Sequence, residues 1–107
     1  MQPVLATGTY VFATLSPGKA MPAHAEPLMT FREAEGTTLI LTAAAAEAAA
    51  LPSIFRCRMI TLTVHSSLDA VGFMAAITQR LAAAGIGVNP VSAFHHDHLF
   101  VPEARAE

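Results

Sequence analysis

Residues 58–72, RMITLTVHSSLDAVG, decide how the rest of the chain is read. From Arg58 to Val64 the residues alternate. Ile60, Leu62 and Val64 fall on one face and Met59, Thr61 and Thr63 on the other, the two-residue period of a strand. The alternation stops at His65-Ser66-Ser67. From Leu68 to Ala84 a stripe of Ala70, Phe73, Met74, Ile77, Leu81 and Ala84 follows the helical period instead. Ser66 and Asp69 are spaced like a capping box, Arg80 falls in the last turn, and Gly85 suits the position just past the end. A strand that runs into a helix start presents unpaired backbone N–H groups, which suit a small anion. Helix capping alone also accounts for the same residues.

Working outward, GVNPVSAF (87–94) and HLFVP (98–102) predict two antiparallel strands joined by a histidine-rich turn near 95–97, with Pro102 opening a final helix. Upstream, YVFATL (10–15) has the β-branched and aromatic content of a strand. Residues 16–27 contain Pro17, Gly18, Pro22 and Pro27 and predict an exposed loop. LMTFREAEGTTLILT (28–42) predicts a hairpin, with strands near 28–34 and 37–41 turning at Glu35-Gly36. Thr42 caps a helix through AAAAEAAAL (43–51), stopped by Pro52. The alanine run carries helix propensity and is given no functional weight.

The second half therefore orders as β-α-β-β, most of a ferredoxin-like βαββαβ unit. The first half orders as β-loop-β-β-α, a related unit whose first helix is replaced by the proline-rich loop. The expected fold is α+β and ferredoxin-like, two halves sharing antiparallel sheets with helices on one face. The halves are expected to be residues 1–52 and 53–107, the second lacking its closing helix and strand.

Composition narrows the function classes. The chain has 107 residues, 53% hydrophobic and only 13% charged, which argues for a packed core and against disorder. So little charge leaves apolar surface over, and a homodimer is expected to cover part of it. The net charge is −2 and no basic cluster occurs, so a nucleic-acid partner is not expected. A single cysteine precludes an internal disulfide and suits a reducing compartment. No basic leader precedes an apolar segment and no run reaches the roughly 18 residues of a membrane helix. A cytoplasmic protein with no membrane partner and no cofactor is expected.

Other residues with chemical potential have plainer explanations. His95, His96, Asp97 and His98 are metal-ligand types, but an extended chain places only two on each face, so a polar turn is the better reading and no metal is expected. Cys57 lies between Arg56 and Arg58, which favours a thiolate, yet no oxyanion arrangement accompanies it and small residues of this kind usually fill cores. No catalytic residue is expected. Glu33 and Glu35 fit a solvated hairpin edge better than a paired-carboxylate site.

The segments YVFATL, TFREAEGTTLIL, RMITLTVHSSLDAVGF, LAAAGIGVN and HHDHLFVP, in this order, resemble a bacterial family of stand-alone tandem ACT-domain proteins. The halves are also similar to the regulatory ACT pairs of aspartate kinases and of eukaryotic arginine-sensing proteins. The resemblance implies a regulatory module that binds an amino-acid-like small molecule and performs no catalysis. It carries the ligand contacts onto His65, Ser66, Ser67, Leu68 and Asp69, with Val71 and Gly72 one turn inside the helix. A ligand carboxylate would accept from the backbone N–H groups of Leu68 and Asp69 and from a serine hydroxyl, and Asp69, Asn89 or Asp97 would receive the ammonium. Gly72 would allow a ligand or partner backbone to come close. Two other readings stand beside this one: a ligand-free oligomerisation or interaction module, and a metal-dependent enzyme built on His95–His98.

Overall fold

The computed structural model describes residues 3–62 and 72–105. Its compact units are Gly8–Arg56 and a second made of Met1–Thr7 with Cys57–Glu107. Every strand pair described below is antiparallel, and the chain is α+β with a ferredoxin-like arrangement, as the alternating patterns predict.

The first strand, β1 (Pro3–Leu5), is absent from the sequence reading. It runs along residues Ile60–Leu62, pairing Pro3 with Leu62 and Leu5 with Ile60. The Ala6 amide donates to the Met59 carbonyl at 2.9 Å, and the Arg58 guanidinium donates to the Ala6 carbonyl at 2.9 Å. The N-terminal residues thus belong to the compact unit of the second half, although they precede the first half in the chain.

In the Gly8–Arg56 unit, β2 (Tyr10–Leu15), β3 (Met29–Glu33) and β4 (Gly36–Thr42) form a sheet in the order β3-β4-β2. The register pairs Val11 with Leu41 and Ala13 with Leu39. These residues and Leu15 form the core, completed by Ala25 from the proline-rich loop and Ala46 from α1 (Ala43–Ala48). Each leucine fully buried there contributes about 1.5–3 kcal/mol relative to exposure.

The hairpin turn falls one residue earlier than expected. Glu33 pairs with Gly36, so Ala34 and Glu35 make the turn and Gly36 is the first residue of β4. Gly36 has φ 151°, and a side chain there would collide with the Leu15 carbonyl oxygen.

Thr42 caps α1 as expected, its hydroxyl accepting from the Ala45 amide at 3.1 Å. The helix stops short of Pro52, because Ala50 turns left-handed at φ 55°. Ala50 and Leu51 then donate to the carbonyls of Glu47 and Ala46, closing a Schellman motif without a glycine.

The second unit holds β5 (Ser53–Leu62), whose first residues belong to the other unit, α2 (Phe73–Ala83), β6 (Asn89–Ser92), β7 (Asp97–Pro102) and a 3₁₀ turn at Glu103–Arg105. β5 starts five residues before the predicted Arg58, and Phe55 within it has φ 60°, which bends the strand while its ring meets Phe12 edge-on at 5.7 Å. β7 lies between β5 and β6, and Leu99, Phe100 and Val101 are buried in succession. A run buried on alternating faces means that β7 is covered on both sides.

Gly85 follows α2 at φ 77°, with Gly85 and Ile86 donating to Ala82 and Leu81, the end that the sequence predicts. Arg105 donates to the Ala84 carbonyl at 3.0 Å and so reinforces that end. The start differs from the expectation. Gly72 is the cap residue, left-handed at φ 86°, so α2 begins at Phe73 and Gly72 is not inside the helix. A glycine costs about 1 kcal/mol in a helix interior but adopts this φ freely, which is why the helix begins after it.

Candidate functional site

The predicted contact segment leaves the end of β5 and enters α2. His65, Ser66, Ser67, Leu68, Asp69 and Val71 lie outside the described residues, and with them the Ser66–Asp69 capping box. The two ends of the segment are described. Leu62 closes β5 with its side chain buried, and Gly72 caps α2 with no side-chain hydrogen bond. Its φ of 86° calls for glycine, and no described atom lies within 4 Å of a side chain built there.

Asp97 and Asn89, both expected near the ligand ammonium, occupy different places. Asp97 pairs with Leu62 on one side and Ser92 on the other, so it sits where β5 gives way to the predicted segment. It is 8% exposed, the one buried charged residue among those described. Asn89 is exposed and pairs with Phe100, three positions along β7 from Asp97. At about 3.3 Å per residue this is roughly 10 Å, too far for both side chains to hold one ammonium. The register therefore sets Asp97 opposite Leu62, the last residue of β5, and Asn89 three positions further along β7.

The histidines form a loose group. The rings of His95 and His96 are 6.4 Å apart, those of His96 and His98 also 6.4 Å and near perpendicular, and Phe94 meets His95 edge-on. His98 Nδ1 lies 3.0 Å from the Thr61 hydroxyl. Burial, and next the neighbouring His96, lower the His98 pKa, while Asp97 opposes them. His96 Nδ1 is buried with no hydrogen-bond partner among the described residues. Among the described residues no three histidine, cysteine or acidic side chains converge on a position that would hold a metal ion.

Cys57 is fully buried in β5, and its thiol is pushed up to about 11 by burial and then by the Glu103 carboxylate. The flanking arginines do not produce a thiolate, and Arg58 is directed to the Ala6 carbonyl. A neutral buried thiol is a core group. Glu33 accepts from the Thr38 hydroxyl at 2.5 Å across the hairpin, while Glu35 stands in the turn.

The sequence reading places no site in the Gly8–Arg56 unit, where described residues line at least two open depressions. One, of about 390 Å³, is mainly apolar and borders Phe12, Thr38, Pro52 and Ile54. The other, of about 440 Å³, is mainly polar and borders Ala43, Ala44, Glu47, Ser53 and Arg56 over Val11 and Leu51. Both exceed the roughly 300 Å³ at which small-molecule clefts begin. The signal available for the second was Glu47, the one charge in the alanine run.

An ACT-domain family model matches residues 1–58, and a second ACT-domain model matches residues 54–107. The chain is similar to a Vibrio cholerae protein described as of unknown function and as a possible transport protein. The identity is 46% and the TM-score 0.89, over 96% of this chain and 79% of that one. An Agrobacterium tumefaciens protein shares 22% identity and a TM-score of 0.80, over 95% of this chain and 78% of that one. A structure of aspartokinase alpha and beta subunits shares 13% identity and a TM-score of 0.62, over 97% and 88%. No curated protein matches the chain.

Proposed function

Because this chain belongs to the ACT-domain family, with two such modules in tandem, we propose that it reversibly binds an amino-acid-like small molecule as a regulatory device and catalyses nothing. ACT domains are regulatory modules that typically bind ligands. The observation that carries the finer reading is Asp97, a buried carboxylate paired with Leu62 at the point where the predicted contact segment leaves β5. In this reading Asp97 receives the ligand ammonium. His65, Ser66, Ser67, Leu68, Asp69, Val71 and Gly72 line the site, with Asp69 or Asn89 the alternative to Asp97 for the ammonium. A ligand that fits one arrangement of the modules better than another shifts the population toward it, which is how binding would be passed to a partner. The cytoplasm and a homodimer suit this reading, and large apolar side chains such as Ile54 and Phe94 stay exposed for such a contact.

A thermal-shift screen of the full chain against the standard amino acids tests this. A true ligand at roughly 100-fold its Kd raises stability by about 2.7 kcal/mol. A screen in which no amino acid moves the midpoint favours the second reading, an oligomerisation module without a ligand, which the exposed Phe31, Ile54 and Phe94 support.

A further inference from the structure

We propose that the tip of the β6–β7 hairpin is a pH-sensitive latch, held closed by neutral His96 and His98 and opened by a proton on the pair. The turn is closed by the Ala93 amide, which donates to the His96 carbonyl at 3.0 Å. The His96 ring lies inward, its Nδ1 buried with no partner among the described residues. Its centroid is 6.4 Å from that of His98, near perpendicular, and His98 Nδ1 lies 3.0 Å from the Thr61 hydroxyl of β5. Between the two histidines in the chain stands Asp97, the first residue of β7, opposite Ser92 and Leu62.

A neutral imidazole keeps one bare nitrogen, whereas the cation carries hydrogen on both. Neutral His96 can leave Nδ1 bare in its buried place. The cation would bury an N–H there without an acceptor, so it fits only with its ring turned out to water. His98 keeps its partner in either state, because the Thr61 hydroxyl can donate to a bare nitrogen or accept from an N–H. His96 is therefore the moving part and Thr61 the anchor. Burial and the neighbouring His96 oppose a proton on His98, and Asp97 favours one. The β6 residue opposite His98 is the neutral Val91. Arg58 lies three positions along β5 from Thr61, on the other face, and donates to the Ala6 carbonyl. The exposed His95 is 6.4 Å from His96, so a proton there adds to the repulsion. Rings this close titrate as a coupled group rather than singly. On the ligand-binding reading, on which this consequence alone rests, opening the latch displaces the Asp97 carboxylate and acid releases the ligand.

The test is amide hydrogen exchange of the full chain followed by NMR from about pH 7.5 to about pH 5.5, each rate divided by the intrinsic rate at that pH. The expected result is that protection at Ala93 falls about tenfold in acid, as one unit of difference in proton affinity between closed and open hairpin requires. The amides of Ala45 and Gly85, bonded to the Thr42 hydroxyl and the Ala82 carbonyl, keep their protection. His96→Phe, with a ring of similar size, and His96→Gln both abolish the fall at Ala93, and either one that folds suffices. The proposal is overturned if Ala93 protection does not change with pH, if the fall persists without the His96 imidazole, or if Ala45 and Gly85 lose protection in parallel. No ligand enters this measurement, so a failure of the latch is distinct from a failure of the ligand-binding reading, which calorimetry tests.

Discussion

The Thr61 hydroxyl lies 3.0 Å from His98 Nδ1, across the same β5–β7 register that sets Leu62 against Asp97. Burial holds the His98 pKa below its ordinary value, so the unfolded chain binds this proton more readily than the folded one. The contribution of neutral His98 is complete above the unfolded value of about 6.5 and is lost as pH falls from there through the folded value. Unfolding midpoints measured from about pH 7.5 down to about pH 5 should fall more in the wild type than in His98→Gln. Equal slopes for the two proteins would show that His98 does not carry the effect.

Ala50 occupies the left-handed position that normally falls to glycine at the end of α1. Ala50→Gly should therefore raise stability by about 0.5–1 kcal/mol. Ala48→Gly, within the helix, should lower it by about 1 kcal/mol. Chemical denaturation of the pair gives opposite signs if the end of α1 is as described, and matching losses if it is not.

Two glycines with positive φ should respond differently to alanine. At Gly36 a side chain meets the Leu15 backbone and the Thr14 hydroxyl, whereas at Gly18 it meets nothing. Gly36→Ala should cost on the order of 3 kcal/mol and Gly18→Ala about 1 kcal/mol. Similar midpoints for both variants would mean that β4 does not approach β2 as closely as the register requires.

Cys57 should resist thiol reagents in the folded protein. Its thiol is fully buried and titrates at about 11. Labelling at neutral pH should follow global unfolding, becoming rapid only in denaturant. Rapid labelling under native conditions would restore Cys57 as a reactive group.

Where a pattern is local, the fold is legible in the residues themselves. YVFATL has the β-branched and aromatic content of a strand and becomes β2 with the predicted bounds, Thr42 caps α1, and Gly85 ends α2. What was missed depends on distant partners. Pro3–Leu5 is too short to read as a strand and becomes one only against Ile60–Leu62. The early start of β5 is hidden by the left-handed Phe55. Within the candidate site, Asp97 and Asn89 are equally polar as residues, and only the β6–β7 register separates them. Glu47 and Arg56 come together on one groove from a helix and a strand, which no spacing rule anticipates.

The most direct test of the ligand-binding account is a calorimetric titration of the full chain with whichever amino acid shifts its melting most, repeated with Asp97→Asn. The account predicts saturable binding that Asp97→Asn weakens by at least about tenfold, the worth of a hydrogen bond to a charged group. Saturable binding that Asp97→Asn leaves unchanged, or no saturable binding of any amino acid, would contradict it.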